Sequence, residues 1–258
     1  MRIVVLLKQV PDTWGERKLA SSSGWVDRDA GDRVIDEISE RALEVALSYK
    51  DSDKSTEVIV LSMGPASVTD AMRKGLAMGA DSAIHVLDDS LAGSDVTMTA
   101  AVLAAALRQT SFDLVIAGNE STDGRGGVVP AMVAEHLGLP HIGSLNWVEI
   151  TAASVQGERG VESGTLRTHA DLPAVISITE QTSEARFPNF RGIMTAKRKP
   201  LTVIALHDLG LDPATIEGPR SVIVSVVERP ARTAGMKIID EGNAGVELAE
   251  FLAARRLL

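Results

Sequence analysis

The stretch AGNESTDGRGGVVPAMVAEHLG, which runs from Ala117 to Gly138, decides the fold class. The short apolar run 114–117 leads into it, and a helical pattern that stops at Gly138 completes it. Four glycines and several small polar residues separate the two patterns. Because a strand that passes through a short turn into a helix is the building unit of α/β proteins, this stretch predicts a βα unit.

The same alternation continues toward the N-terminus. Continuous apolar runs at 3–7, 58–61 and 83–87 are typical of strands that are buried on both faces. Helical patterns occupy 35–49, 66–78, 96–107 and 128–137, and Gly79 and Gly138 follow two of them as helix ends. We therefore expect an α/β fold, a Rossmann-like parallel sheet with flanking helices.

The alternation ends after about Ile142. Strand patterns at 148–150, 165–168 and 174–178 have no long helices between them, and GERGVESG between two of them predicts a hairpin turn. These strands are expected to be small β additions to the fold. From about Pro230 the chain has charges, glycine-containing breaks and a short amphipathic helix at 246–256. The prediction is an α/β nucleotide-binding domain at 1–229 and a C-terminal arm at 230–258.

Composition excludes several classes of function. The 258 residues include no cysteine, which removes disulfides, zinc-thiolate sites and cysteine nucleophiles. Five scattered histidines lack metal-site spacing, so we expect no metal. A net charge of −9 argues against nucleic-acid binding. No segment is apolar and long enough to enter a membrane, and the N-terminal run is better explained as a strand than as a signal peptide, so we expect a cytoplasmic protein.

The glycine-rich loop 118–127 is suited to holding a phosphate. Glycines let backbone N–H groups approach an anion closely, and the helix that begins near Val128 would point its N-terminus at the loop. Pro130 fits the first helical turn. The alternative is a tight connection without a ligand. The loop matches neither the GxGxxG dinucleotide fingerprint nor the GxxxxGK[ST] P-loop.

Eight stretches of the chain belong together. In chain order they are VVLLKQVPDT, DEISERALEVAL, VLSMGPA, RKGLAMGADSAIHV, GNESTDGRGG, LPAVISIT, RFPNFRGIMTAKRK and RTAGMKI. Taken together they resemble the β subunit of electron transfer flavoprotein, which implies an α/β fold of the adenine-nucleotide-binding type. The resemblance implies a heterodimer whose α subunit holds most of the FAD, while the β subunit binds a structural AMP. The pair would take electrons from dehydrogenases, notably the acyl-CoA dehydrogenases of fatty acid oxidation, and pass them to a membrane quinone oxidoreductase. The chain would then be an electron carrier subunit without catalytic residues of its own, and its arm would pack on the α subunit.

The resemblance also implies site residues. Those of the AMP site are Leu6, Asp36, Glu37, Ile38, Ser39, Met63, Gly118, Asn119, Glu120, Ser121, Thr122, Asp123, Gly124, Arg125, Gly126, Gly127, Val128 and Val129. Among them, Asp123 is expected to shape the loop, and Arg125 either pairs with the phosphate or is a solvated surface charge. Thr13 and Ile38 would lie near the FAD. Phe190 and Ile193 would dock partner proteins, although an aromatic at position 190 is as often the edge of a core.

Three other interpretations stay open. A bifurcating electron transfer flavoprotein would hold a second FAD in the AMP position. A stand-alone adenine-nucleotide-binding sensor would be a homodimer and would leave the arm unexplained. An ATP-pyrophosphatase would need an SGGxDS-like loop after the first strand, where this chain has KQVPDT.

Overall fold

The computed structural model describes residues 1–211, 221–235, 237 and 239–257. These residues divide into two compact units, Met1–Val224 and Ser225–Leu258. The strands, in chain order, are β1 (Arg2–Leu6), β2 (Gln9–Pro11), β3 (Arg33–Ile35), β4 (Glu57–Met63), β5 (Ser82–Val86), β6 (Leu114–Gly118), β7 (His141–Leu145), β8 (Trp147–Ile150), β9 (Ser154–Val161), β10 (Gly164–Asp171), β11 (Ala174–Ile178) and β12 (Leu201–Ile204). The helices are α1 (Glu37–Ser52), α2 (Val68–Met78), α3 (Val96–Arg108), α4 (Val129–Leu137), α5 (Phe190–Ala196) and α6 (Ala244–Ala254).

The first unit is built on a parallel sheet of seven strands in the order β12-β5-β4-β1-β6-β11-β7. Every neighbouring pair in this sheet is parallel. The chain moves outward from β1 through β4 to β5 and then returns to place β6 on the other side of β1. This confirms the predicted Rossmann-like α/β fold with flanking helices.

A hydrophobic core lies on each face of this sheet. Along β1, Ile3 and Val5 pack into the core under α1 and α2, and Val4 and Leu6 pack into the core under α3 and α4. All four side chains are buried. A strand with apolar side chains on both faces needs helices on both faces, which is why β1 is a continuous apolar run and does not alternate with polar residues.

The helix ends follow the expected capping chemistry. Helix α1 begins at Glu37, two residues after the start of the predicted pattern, because the Asp36 carboxylate accepts a hydrogen bond from the Ile38 N–H and caps the helix. Helices α2 and α4 end at Gly79 and Gly138, as predicted. Gly138 has the left-handed backbone conformation that favours glycine.

The β additions are more extensive than the sequence indicated. Strands β8, β9 and β10 form an antiparallel sheet, and most of the predicted turn GERGVESG belongs to β9, so that only Glu162 and Ser163 make the turn. Short strands β2 and β3 pair after β1. The edge strands β7 and β12 and the short helix α5 were not predicted. Their apolar patterns are weak because each buries few side chains, namely Leu145 in β7, Ala196 in α5 and none fully in β12.

The second unit contains α6, which begins two residues before the predicted helix and ends two residues before its predicted end. None of the α6 residues is buried. The stretch RTAGMKI lies partly outside the described residues. Among the helices that the structure describes, none combines the length and apolarity needed to cross a membrane.

Candidate nucleotide-binding site

Three predicted site residues stand at the ends of neighbouring strands. Leu6 ends β1, Met63 ends β4 and Gly118 ends β6. Strand β1 lies between the other two, and its Leu6 is in register with Leu61 and Ala117. This is the point where the order of the strands reverses. Ligands of open α/β sheets bind beyond the carboxyl ends of the strands at such a point.

Asp36 connects the start of α1 to the glycine-rich loop. One carboxylate oxygen accepts the Ile38 N–H at 3.1 Å. The other accepts the N–H of Thr122 at 2.6 Å and its hydroxyl at 2.7 Å. The Asp36 side chain is fully buried, so its carboxylate is shielded from water. Asp36 therefore shapes the loop while it caps the helix.

Asp123 anchors the middle of the same loop. Its carboxylate is 1% exposed and forms ion pairs with Lys8 at 2.7 Å and Arg28 at 3.0 Å. Burial alone would raise the pKa of this carboxyl, but the nearby Lys8 ammonium, hydrogen bonds from Lys8 and Ser121, and the Arg28 charge together hold the pKa well below its usual range. Asp123 is thus a charged structural support, the role expected of it.

A further arginine ties the loop to the segment after β1. The Arg17 guanidinium donates to the Thr122 carbonyl and hydroxyl and to the Pro11 carbonyl. Sequence reasoning missed Arg17 and Arg28, since neither belongs to a motif and both contact the loop from about a hundred residues away. Two arginines and one lysine therefore hold the loop from one side.

The end of the loop is open where the predicted phosphate would bind. Arg125 and Gly127 have positive φ values of 48° and 64°. A Cβ atom added to Gly127 would meet no atom within 4 Å. Val128 precedes α4 and supplies no side-chain cap, so the first-turn N–H groups receive no acceptor from it. Pro130 occupies the first turn, as predicted. Exposed Arg125 lies on this open part of the loop.

The base of the loop carries a buried acceptor. Gly118 packs so closely that an added Cβ would lie 2.9 Å from a methyl group of Ile38. The next residue, Asn119, donates its N–H to the Ile178 carbonyl at 2.8 Å, but its side-chain oxygen is buried and has no partner among the described residues. Since buried acceptors are normally paired, this oxygen is suited to a ligand donor such as an adenine amino group.

The two residues predicted to lie near FAD differ in exposure. Thr13 is exposed in the turn after β2. Ile38 is 4% exposed because it packs against Gly118. Beside Thr13, Trp14 is 97% exposed, an aromatic residue that the sequence interpretation did not use. A fully exposed tryptophan at this edge provides a flat apolar surface for a planar partner.

The predicted docking residues lie on α5. Phe190 is 80% exposed and Ile193 is 51% exposed, so Phe190 is not at the edge of a core, which was the alternative interpretation. The helix itself is firmly held. Arg73 donates to the carbonyls of Ala196 and Lys199, and Gly192 lies so close to α2 that an added Cβ would clash with its backbone. A rigid support thus presents apolar side chains to solvent.

Known proteins are similar to this chain over most or all of its length. The family description "Electron transfer flavoprotein domain" matches residues 23–209. The electron transfer flavoprotein subunit beta of Mycobacterium tuberculosis is 46% identical, with 99% of each chain covered. That of Megasphaera elsdenii is 32% identical, with 100% of each covered. The caffeyl-CoA reductase-Etf complex subunit CarD of Acetobacterium woodii is 34% identical, with 83% of this chain and 81% of the relative covered.

Proposed function

The chain belongs to the electron transfer flavoprotein family as a β subunit, and on that basis we propose that it pairs with an α subunit that holds most of the FAD and that it binds AMP itself. Membership makes it an electron carrier and not an enzyme. The observation that supports the AMP site best is the glycine-rich loop, which Asp36, Asp123 and Arg17 hold at the point where the strand order reverses.

The residues of the proposed AMP site fit a mononucleotide. The uncapped start of α4 and the open glycines would hold one phosphate, since backbone N–H groups and the helix dipole both favour an anion there. The unpartnered side-chain oxygen of Asn119 would accept a hydrogen bond from the base. The strand ends at Leu6 and Met63 would offer backbone groups to its edge. AMP supplies no redox chemistry there; its role is to complete the fold of the loop.

Replacement of Gly127 tests this site. Gly127→Asp should lower the AMP content by at least about 30-fold, because a carboxylate beside the phosphate costs roughly 2–4 kcal/mol at an effective dielectric constant of about 20. The backbone accommodates the change, since there is open space at Gly127 and aspartate tolerates a positive φ. The measurement is chromatography of the nucleotides that denatured protein releases.

Gly127→Asn is the matched control, because it adds the same bulk without the charge. Its AMP content should stay close to that of the unmodified chain. Equal AMP content in the aspartate variant would place the phosphate elsewhere. Two FAD molecules per heterodimer in place of one FAD and one AMP would support the bifurcating alternative, in which a second FAD occupies this position.

The proposed route of the electrons rests on the assignment of this chain as a β subunit of electron transfer flavoprotein. The flavin, when bound, would supply the redox chemistry, and this chain would contribute a wall at the exposed Thr13 and Trp14, with the buried Ile38 behind them as packing. We further propose that dehydrogenases, among them acyl-CoA dehydrogenases, deliver the electrons in the cytoplasm and that a membrane quinone oxidoreductase receives them. The exposed apolar side chains of α5 would dock the dehydrogenases.

Phe190→Ala should slow reduction by a partner dehydrogenase about 5- to 30-fold at limiting carrier concentration. Burial of the ring on docking contributes about 1.5–3 kcal/mol, and ordering of side chains offsets about 0.5–1.5 kcal/mol of it. Because Phe190 is 80% exposed, the free energy of unfolding should change by less than about 0.5 kcal/mol. Stopped-flow reduction of the heterodimer and thermal melting measure the two effects.

Leu166→Ala is the control for this docking test, since it removes an exposed apolar side chain from β10. Its reduction rate should equal that of the unmodified protein. The docking assignment fails if Phe190→Ala leaves the apparent KM for the carrier unchanged, or if Leu166→Ala raises it equally.

A further inference from the structure

A pocket of about 210 Å³ lies beside the edge strand β7, between the start of α4 and the strand pair β9–β10. Residues that line it include Gly127, His141, Ser144, Arg159, Thr168 and Ser177. The pocket therefore adjoins the glycine-rich loop at one residue only, and none of its other lining residues belongs to the predicted AMP site.

The pocket is positively charged. Arg159 is its only charged lining residue besides the titratable His141, and the lining contains no carboxylate. In the described part of the chain no hydrogen bond or ion pair involves the Arg159 side chain, whereas the side chain of Arg167, in the neighbouring strand, is paired with Glu158. In a protein with a net charge of −9, an unpaired guanidinium in a pocket needs an explanation.

Three buried polar atoms in the lining have no partner within the described ranges. They are the Nε2 of His141, the Nε of Arg159 and the Oγ1 of Thr168. Each can donate a hydrogen bond, and an arginine Nε can only donate. The His141 ring packs closely against Gly143, since a Cβ atom added there would lie 2.7 Å from its Cε1. Donors without acceptors are costly, so the pocket is suited to a ligand rich in acceptors.

We propose that this pocket binds an oxyanion, a phosphate or a carboxylate, with Arg159 as its charged ligand. The planar guanidinium matches both groups in a two-point geometry. A cation is disfavoured by Arg159, and an apolar ligand would leave the donors unpaired. The oxyanion can be a phosphate of a small molecule or a carboxylate side chain of a protein that covers the pocket, and the chemistry of recognition is the same for both.

The test is a titration of the full-length chain, dialysed free of phosphate, with inorganic phosphate and with sodium acetate. The Cε1–Hε1 NMR signal of His141 reports binding, since burial and the Arg159 charge lower the pKa of this ring and a bound anion should raise it. We expect a saturable shift with a Kd on the order of millimolar. Arg159→Gln should weaken binding at least about tenfold.

Arg167→Gln is the matched control, because it removes the same charge from the neighbouring strand, and it should leave the titration unchanged. Arg159→Lys keeps the charge and should retain part of the affinity. Retained binding in this variant would show that the loss in Arg159→Gln comes from the missing charge and not from misfolding. The inference is overturned if neither anion gives a saturable shift of the His141 signal, or if Arg159→Gln titrates like the unmodified chain.

Two repeats of the titration identify the source of the anion. If saturating AMP abolishes the phosphate effect, the oxyanion is the nucleotide's phosphate. If the complex with an α subunit abolishes it and Arg159→Gln weakens that complex, the oxyanion is a partner carboxylate. If neither abolishes the effect, the pocket binds a separate small anion. The inference does not rest on the proposed function, because the first titration uses the chain alone.

Discussion

Asp36→Ala is expected to lower the free energy of unfolding by at least about 3 kcal/mol and to empty the nucleotide site. The change removes the cap of α1, which is worth about 1 kcal/mol. It also leaves the N–H and hydroxyl of Thr122 without their buried acceptor, at a cost of about 1–3 kcal/mol for each unsatisfied group. Without this clamp the glycine-rich loop loses its shape, so the released AMP should fall with the stability. Urea unfolding and nucleotide chromatography measure the two losses.

Asp36→Asn separates the two roles of the side chain. Asparagine caps helices as well as aspartate does, so the hydrogen bond to Ile38 should persist. The new NH₂ group would face the Thr122 N–H, and two donors cannot form a hydrogen bond with each other. The contact between residue 36 and the glycine-rich loop should therefore weaken while the helix cap is kept. We expect a loss of about 1–2 kcal/mol with most of the AMP gone. Full AMP content in both variants would show that Asp36 supports only the helix.

Removal of the C-terminal arm is the change with the largest expected effect on assembly. A chain that ends at Glu228 should fold, since the unit Met1–Val224 contains both hydrophobic cores, yet it should no longer co-purify with an α subunit. In α6, Val246 and Leu248 are 62% and 51% exposed. Burial of such side chains against a partner is worth about 1.5–3 kcal/mol each. Their loss should weaken the heterodimer by roughly two to three orders of magnitude.

The full-length double variant Val246→Ser with Leu248→Ser is the companion to this truncation. It keeps the length of the arm and removes only apolar surface. Like the truncation, it should lower the amount of this chain that co-purifies with the α subunit. A truncated chain that still forms a stable heterodimer would show that the arm does not pack on the α subunit.

The strands and helices of the sheet were predictable because their patterns are strong. The run 3–7 is apolar throughout, and two of the flanking helices, α2 and α4, are followed by glycines, so these local signals agree with the parallel sheet. The elements at the edge of the sheet could not be predicted from the sequence, for a physical reason. Strand β12 and helix α5 bury few side chains, and a partly exposed segment need not have a regular apolar pattern.

The composition of the site was only partly predictable. The sequence predicts the glycine-rich loop and the strand ends that form the site, since backbone conformation restricts which residues can occupy them. The arginines that support the loop were not, because Arg17 and Arg28 reach it through tertiary contacts that no local pattern records. The sequence does not single out Trp14 either. Its exposure of 97% is a property of the folded surface and not of the residue type.

The visible absorbance spectrum of the chain, purified alone and after co-expression with an α subunit, decides whether it is a β subunit whose flavin is held by its partner. The chain should be colourless when it is purified alone, because its loop lacks a dinucleotide fingerprint, and the heterodimer should show a flavin spectrum with one FAD when the α subunit is present. A stoichiometric flavin spectrum from the isolated chain would contradict this assignment. So would a colourless homodimer that never joins an α subunit, which is the behaviour expected of a nucleotide sensor.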